Sequence, residues 1–152
     1  MERNERVEDF TKQELKKLFN SITSFDLRTY PDTDQVYKNL SRWLKVKPSN
    51  LLIAEGADGG LLRIFNVFVS SKDKVLALEP SFAMYPVYCQ MFSAKYFPLK
   101  LNLDSKFDYF KVLKEKIKKI KPKIISLANP NQPLEAMLTL KEIKEILNLS
   151  KK

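Results

Sequence analysis

The sequence predicts an α/β fold: three layers, with a mainly parallel sheet between flanking helices. Three observations predict it. Short apolar runs of strand length occur at 51–54, 74–79, 95–99 and 123–128. Helix-period stretches separate them, at about 58–70, 83–93 and 108–120. Strands that alternate with helices pair in parallel, because each crossover helix returns the chain to the same end of the sheet.

The elements follow in order. Thr11-Lys12-Gln13-Glu14 is a capping box, with Phe10 and Leu15 as its hydrophobic staple, and it opens a helix to about Ile22. Residues 23–32 read as a loop. A second helix places Val36, Tyr37, Leu40, Trp43 and Leu44 on one face, and Lys47-Pro48-Ser49-Asn50 breaks it. Leu51-Leu52-Ile53-Ala54 then runs into Gly56-Ala57-Asp58-Gly59-Gly60, a window that holds all 3 glycines of the chain. Helical periodicity resumes from Leu61 to Val69. In the helix at 108–120, Phe110, Leu113, Ile117 and Ile120 form an apolar stripe, and lysines 111, 114, 118, 119 and 121 cover the rest. Thr139-Leu140-Lys141-Glu142 is another capping box, opening a last helix with Leu140, Ile143, Ile146 and Leu147 inward. No repeat, linker or low-complexity tract interrupts the chain. It reads as one domain over 1–152, with a helical segment at 1–50 and an α/β part at 51–152.

Composition narrows the function. A chain of 152 residues buries roughly 68–70% of its unfolded surface. Hydrophobic content of 44% with 30% charge suits a soluble globular protein, and no apolar run is long enough to span a bilayer. The charged start, Met1 to Arg6, has no apolar signal segment. Cys89 is the single cysteine, so no intramolecular disulfide forms, and these features together point to the cytoplasm. Histidine is absent, which excludes Ser/His/Asp and Cys/His triads and histidine zinc sites; one cysteine excludes a thiolate cluster, so no metal site is expected. The net charge of +9 invites a nucleic-acid partner. Most of the excess lies between Lys111 and Lys123 and at the C-terminus, with no interleaved aromatic rings for base stacking. It reads as a solvated helix face, and nucleic acid ranks last among the partners.

In sheets of this kind ligands bind beyond the C-terminal ends of the strands. Three segments fall there: Gly56–Gly60, Pro80-Ser81-Phe82-Ala83-Met84-Tyr85, and Asn129-Pro130-Asn131-Gln132-Pro133. They offer backbone donors at a helix start, an aromatic ring, and carboxamides, which together suit a flat, phosphorylated, heteroaromatic ligand. The glycine window alone equally fits an ordinary tight turn, since it contains neither GxGxxG nor GxxxxGK[ST].

Five segments in order carry a family resemblance. They are Arg3-Asn4-Glu5, Thr29-Tyr30-Pro31, Gly56-Ala57-Asp58, Pro80-Ser81-Phe82-Ala83-Met84-Tyr85, and Asn129-Pro130-Asn131-Gln132-Pro133. With them the chain resembles the pyridoxal-phosphate-dependent aminotransferases of fold type I, closest to the histidinol-phosphate aminotransferase branch. The resemblance implies pyridoxal 5'-phosphate as cofactor. It gives Gly56, Ala57 and Asp58 the phosphate turn, with backbone N–H groups of Ala57 and Asp58 as donors. It gives Phe82 the ring stacked on the pyridine. It puts Gln132 where the family has an asparagine bonded to the phenolic oxygen. Tyr30 matches a tyrosine that reaches the cofactor phosphate of the neighbouring subunit, which implies a homodimer. Asn4 and Glu5 fall in a box beside the substrate site, which takes a small-molecule amino donor.

Four positions depart from the family pattern. Gln132 carries its amide one methylene further out, Leu134-Glu135 replaces a Thr-Gly pair, and Gly59 replaces an acidic residue. The family's aspartate at the pyridine nitrogen, its cofactor lysine and its substrate arginine all follow the segment matched here. No catalytic residue is therefore assigned. The expectation is the N-terminal part of an aminotransferase large domain, inactive as a transaminase by itself. Such a chain is a truncated enzyme or one half of a split enzyme with a complementing C-terminal polypeptide; alternatively it is a non-catalytic binding or interaction module. In the family's sheet, later strands separate the first strand from the next three. The run at 51–54 is accordingly expected at an edge or unpaired from the others.

Overall fold

The computed structural model describes residues 6–102, 108–134 and 136–150. The chain divides into two compact units, Met1–Leu52 and Ile53–Lys152.

The first unit is helical. Helix α1, Lys12–Asn20, begins in the expected box, with the Thr11 side chain accepting the Glu14 N–H and Glu14 accepting the Thr11 N–H. Residues 23–32 are not all loop, because Ser24–Arg28 form a short helix, α2. Thr23 and Asp26 make a second reciprocal cap there, at 3.2 and 2.8 Å. An aspartate at the third helical position does the work usual for Glu or Gln, so the signal is easy to pass over. Helix α3, Asp34–Leu44, ends at Lys45 in the left-handed region (φ 55), and Pro48–Asn50 make one 3-10 turn. Among the described residues of this unit only Ser41 is buried, while Leu18, Phe19 and Trp43 are exposed.

The second unit holds the core. Helix α4 spans Gly56–Phe68 and leads to strand β1, Lys74–Glu79. Helix α5, Met84–Met91, connects to β2, Lys95–Lys100. Helix α6, Tyr109–Ile120, connects to β3, Ile124–Ser126, and α7 spans Leu140–Leu149. The sheet order is β2-β1-β3, all parallel, with Val75 opposite both Tyr96 and Ile124. The path steps from β1 to β2, then reverses past β1 to β3. Right-handed crossovers therefore put α5 and α6 on opposite faces. On one face Val75, Phe65, Val69, Tyr88 and Cys89 form a core with Tyr96 and Ile124. On the other, Leu76, Leu78 and Leu99 pack on Leu113, Ile117 and Ile146 of α6 and α7. The alternation of Val75 against Leu76 and Leu78 is the period of a strand covered on both sides. These are the three expected layers.

The run at 51–54 is not a strand and takes no place in this sheet. Both edges of β1 are taken by β2 and β3, and the run leads instead into α4. The last strand is shorter than the apolar run 123–128, since the chain turns away after Ser126 toward the Asn129 loop.

Candidate functional site

The reversal of the path creates a crevice. The loop after β1 leads to α5 on one face of the sheet, and the loop after β3 leads to α7 on the other. Between two such strands the departing loops leave a gap at their carboxyl ends, where open α/β sheets take ligands. Pro80-Ser81-Phe82 and Asn129–Pro133 border that gap. One hydrogen bond spans it, from Asn131 Nδ2 to the Pro80 carbonyl at 2.8 Å. The β3 loop is braced within itself. Asn129 Oδ1 accepts the Leu138 N–H at 2.8 Å, its Nδ2 donates to the Leu138 carbonyl at 3.1 Å, and the Asn131 N–H donates to the Ala136 carbonyl at 2.8 Å.

Helix α4 brings the glycine turn to the same end. It joins β1 through the short connection 69–73 and packs along the sheet through Phe65 and Val69. It thus runs opposite to the strand. Its 13 residues rise about 20 Å. The 6 residues of β1 extend about 20 Å as well, so the helix start is level with the strand's carboxyl end. Gly56 has φ +71, a conformation that suits glycine. No side chain caps the helix, and Ala57 and Asp58 are exposed. Their backbone N–H groups belong to the first turn, whose donors have no intrahelical partner and make up the positive end of the helix dipole, which favours an anion.

Tyr88 of α5 locks this corner. Its hydroxyl donates to the Asp58 carboxylate, and its ring lies 5.3 Å from that of Phe65. The bond to Asp58, then burial, push the Tyr88 phenol up to about 12. Glu55 precedes the turn, and Arg63 donates to both its oxygens at 2.7 and 3.0 Å. A hydrogen bond to its own backbone and the Arg63 contact hold the Glu55 carboxyl below its usual range. A Cβ at Gly59 would meet Glu55 Oε2 at 3.0 Å and Glu55 Cβ at 3.2 Å. The Glu55 side chain thus lies where a side chain at position 59 would stand.

The sequence-derived residues are distributed unevenly. Gly56, Ala57, Asp58, Phe82 and Gln132 all lie in the second unit, in segments at the carboxyl end of the sheet. Phe82 is 42% exposed, and its ring meets Tyr85 edge-on at 5.7 Å between centroids. Gln132 is exposed, whereas its neighbour Asn131 is 1% exposed. Tyr30 lies in the first unit, 100% exposed. Asn4 and Glu5 lie outside the described residues. Sequence reading singled out neither Tyr88 nor Asn131. Tyr88 lies one helical turn beyond Met84, just past the aromatic segment, and Asn131 sits inside the Asn-Pro-Asn segment. Their burial was the missing signal.

Two further atoms bear on a ligand. Asn131 Oδ1 and Ser81 Oγ are buried without a hydrogen-bond partner in the protein. Buried polar atoms are nearly always paired, so unpaired ones in a crevice mark a place for an added group. A helix start open to an anion, a half-exposed ring and unpaired polar atoms fit a phosphorylated aromatic cofactor. Among the described residues no cluster of His, Cys, Asp or Glu could hold a metal ion, and no helix is long and apolar enough to cross a membrane.

The fold is that of a class of protein whose family is shown by sequence, the class I and II aminotransferases. That family's model matches residues 2–152, and the chain belongs to the family. Among its relatives is the histidinol-phosphate aminotransferase of Thermoanaerobacter sp. (strain X514), 30% identical over 152 residues, covering 99% of this chain and 43% of that enzyme. The histidinol-phosphate aminotransferase of Ruminiclostridium cellulolyticum is 33% identical over 125 residues, covering 80% of this chain and 35% of the enzyme. Among solved structures, histidinol-phosphate aminotransferase from Sinorhizobium meliloti in complex with pyridoxal-5'-phosphate shares the fold. It has a TM-score of 0.75 at 18% identity, over 91% of this chain and 37% of that one. The chain thus spans 43% of the length of the first of these relatives.

Proposed function

We propose that this chain supplies part of the cofactor cradle of a pyridoxal-phosphate-dependent aminotransferase of the histidinol-phosphate branch, and that by itself it does not transfer amino groups. The observation that carries the reading is the crevice between β1 and β3. There the aromatic β1 loop and the carboxamide β3 loop are tied together, with the glycine turn of α4 at the same end of the sheet. In this reading the backbone N–H groups of Ala57 and Asp58 hold the phosphate, and Gly56 permits the turn. Phe82 covers the ring, and Gln132 reaches its phenolic oxygen. Tyr88 fixes the corner by holding Asp58. Bound pyridoxal phosphate supplies an electron sink for the carbanion that amino transfer forms.

A lysine joined to the cofactor needs a desolvated, positioned site. The lysines with visible contacts are engaged elsewhere. Lys74 donates to the Ile120 carbonyl, Lys116 to the Pro98 carbonyl, Lys123 to Asp73 and Lys114 to Glu145. These bonds also tie down part of the basic stretch that invited a nucleic-acid reading.

For partners the reading offers a second copy of the chain, whose cofactor phosphate Tyr30 would reach, or a complementing C-terminal polypeptide, with Asn4 and Glu5 beside the substrate. It works in the cytoplasm on a small amino donor. The test treats the chain with pyridoxal 5'-phosphate, reduces it with borohydride, maps lysine adducts by mass spectrometry and assays amino transfer alongside. Scattered adducts without turnover are expected. One dominant modified lysine with measurable turnover overturns the reading.

A further inference from the structure

One side chain crosses between the loops that leave β1 and β3 for opposite faces of the sheet. Asn131 is buried, and its Nδ2 donates to the Pro80 carbonyl at 2.8 Å. That contact fixes the amide's orientation, because turning it over would set Oδ1 against the carbonyl oxygen, acceptor to acceptor. Oδ1 is left buried and unpartnered, as is Ser81 Oγ on the next residue of the β1 loop. An unpaired buried acceptor is costly, and a residue serving only to fill space would not carry one. Asn131 is itself held by the braced β3 loop, through its N–H to Ala136. Pro80 stands two residues before Phe82, whose ring rests against Tyr85.

We propose that Asn131 is the positioning residue of this crevice: its carboxamide ties the β1 loop to the braced β3 loop and so sets the attitude of the Phe82 ring. Gln132, exposed beside it, is left free to meet a ligand. The proposal rests on the functional reading above only for the identity of that ligand, pyridoxal 5'-phosphate.

The test is made on the full chain, isotope-labelled for NMR. In the wild type the Asn131 side-chain amide protons exchange about tenfold or more slower than those of Gln132, as protected groups do; equal rates overturn the proposal. Asn131→Ala shifts the Phe82 and Tyr85 ring resonances and weakens the contact between the two rings; unchanged ring signals overturn it. Should that variant fail to fold, Asn131→Asp reads the same tie. The substituted carboxyl can donate to Pro80 only when protonated, so the Phe82 signals return toward their wild-type positions as pH falls through its titration. Phe82 signals that ignore that titration overturn the proposal. Titration with pyridoxal 5'-phosphate, followed by absorbance and induced circular dichroism, gives the cofactor arm. Asn131→Ala weakens binding roughly two- to tenfold, the worth of one well-placed stacked ring; equal affinity overturns the proposal. If the wild-type chain does not bind the cofactor, the functional reading fails, while the exchange and ring measurements still decide the role of Asn131.

Discussion

At Tyr88 one side chain serves both the core and the site. Its ring packs with Phe65, which is 1% exposed and also lies 6.0 Å from Phe92. Its hydroxyl reaches out of that core to Asp58 at the start of α4. Phe65→Ala is expected to cost about 3–5 kcal/mol in denaturant unfolding, through lost burial and a cavity beneath Tyr88. The phenol gives a pH signature. Its folded value, about 12, lies above the ordinary tyrosine value of 10.0. The folded state therefore keeps the proton where the unfolded state has lost it, so this contribution is complete below pH 10 and fades toward 12. Tyr88→Phe should reduce the slope of stability against pH in that window, measured by urea unfolding at several alkaline pH values. An unchanged slope would show that the bond to Asp58 does not hold in solution.

At the scale of elements, α4 begins by a turn that costs a substituted side chain dearly. Gly56 sits at φ +71 with open space around a prospective Cβ, so the penalty of Gly56→Ala is conformational rather than steric. It should destabilise the chain by about 1–2 kcal/mol, the cost of the left-handed region for an L-residue. Gly59→Ala differs, since its Cβ would press on the Glu55 side chain at 3.0–3.2 Å and push that carboxylate off its place. Helix α7 is fastened by its box, with the Thr139 hydroxyl accepting the Glu142 N–H at 3.3 Å and Glu142 accepting the Thr139 N–H at 2.7 Å. Thr139→Ala should cost about 1 kcal/mol, read as a lower melting temperature without change in the sheet signal.

For the whole molecule, the two units differ in what they bury. The core lies in Ile53–Lys152, while the described part of Met1–Leu52 leaves Phe19 65%, Trp43 77% and Tyr30 100% exposed. Such apolar surface favours a partner, in keeping with the proposed assembly. The chain contains 1 tryptophan, so its emission reports on this unit alone. Trp43 should emit as a solvated indole in the isolated chain and shift to shorter wavelength when a polypeptide supplying the rest of the fold is added. An unshifted spectrum at saturating partner would refute the assembly.

The three layers and the alternation of strands and helices were legible in the sequence. Local signals suffice for that: caps at Thr11 and Thr139, the apolar stripe on α6, and strand-length runs at β1 and β2 each read correctly within a few residues. The stripe on α7 is narrower than its period suggests, since Ile146 is buried while Leu140 and Leu147, expected inward, are exposed. The motif segments after β1 and β3 lie at the carboxyl end of the sheet because chain direction alone puts a strand's following loop there; the glycine turn follows no strand and reaches the same end through the direction of α4. Which apolar run becomes a strand was settled by packing. Leu51–Ala54 looks like one, yet it takes no place in the β2-β1-β3 sheet and leads straight into α4. Packing also separated Asn131 from Gln132. The two carboxamides are adjacent and nearly alike in sequence. Burial of one against Pro80, across a contact between distant segments, is a property of how the loops leave the sheet and not of either residue.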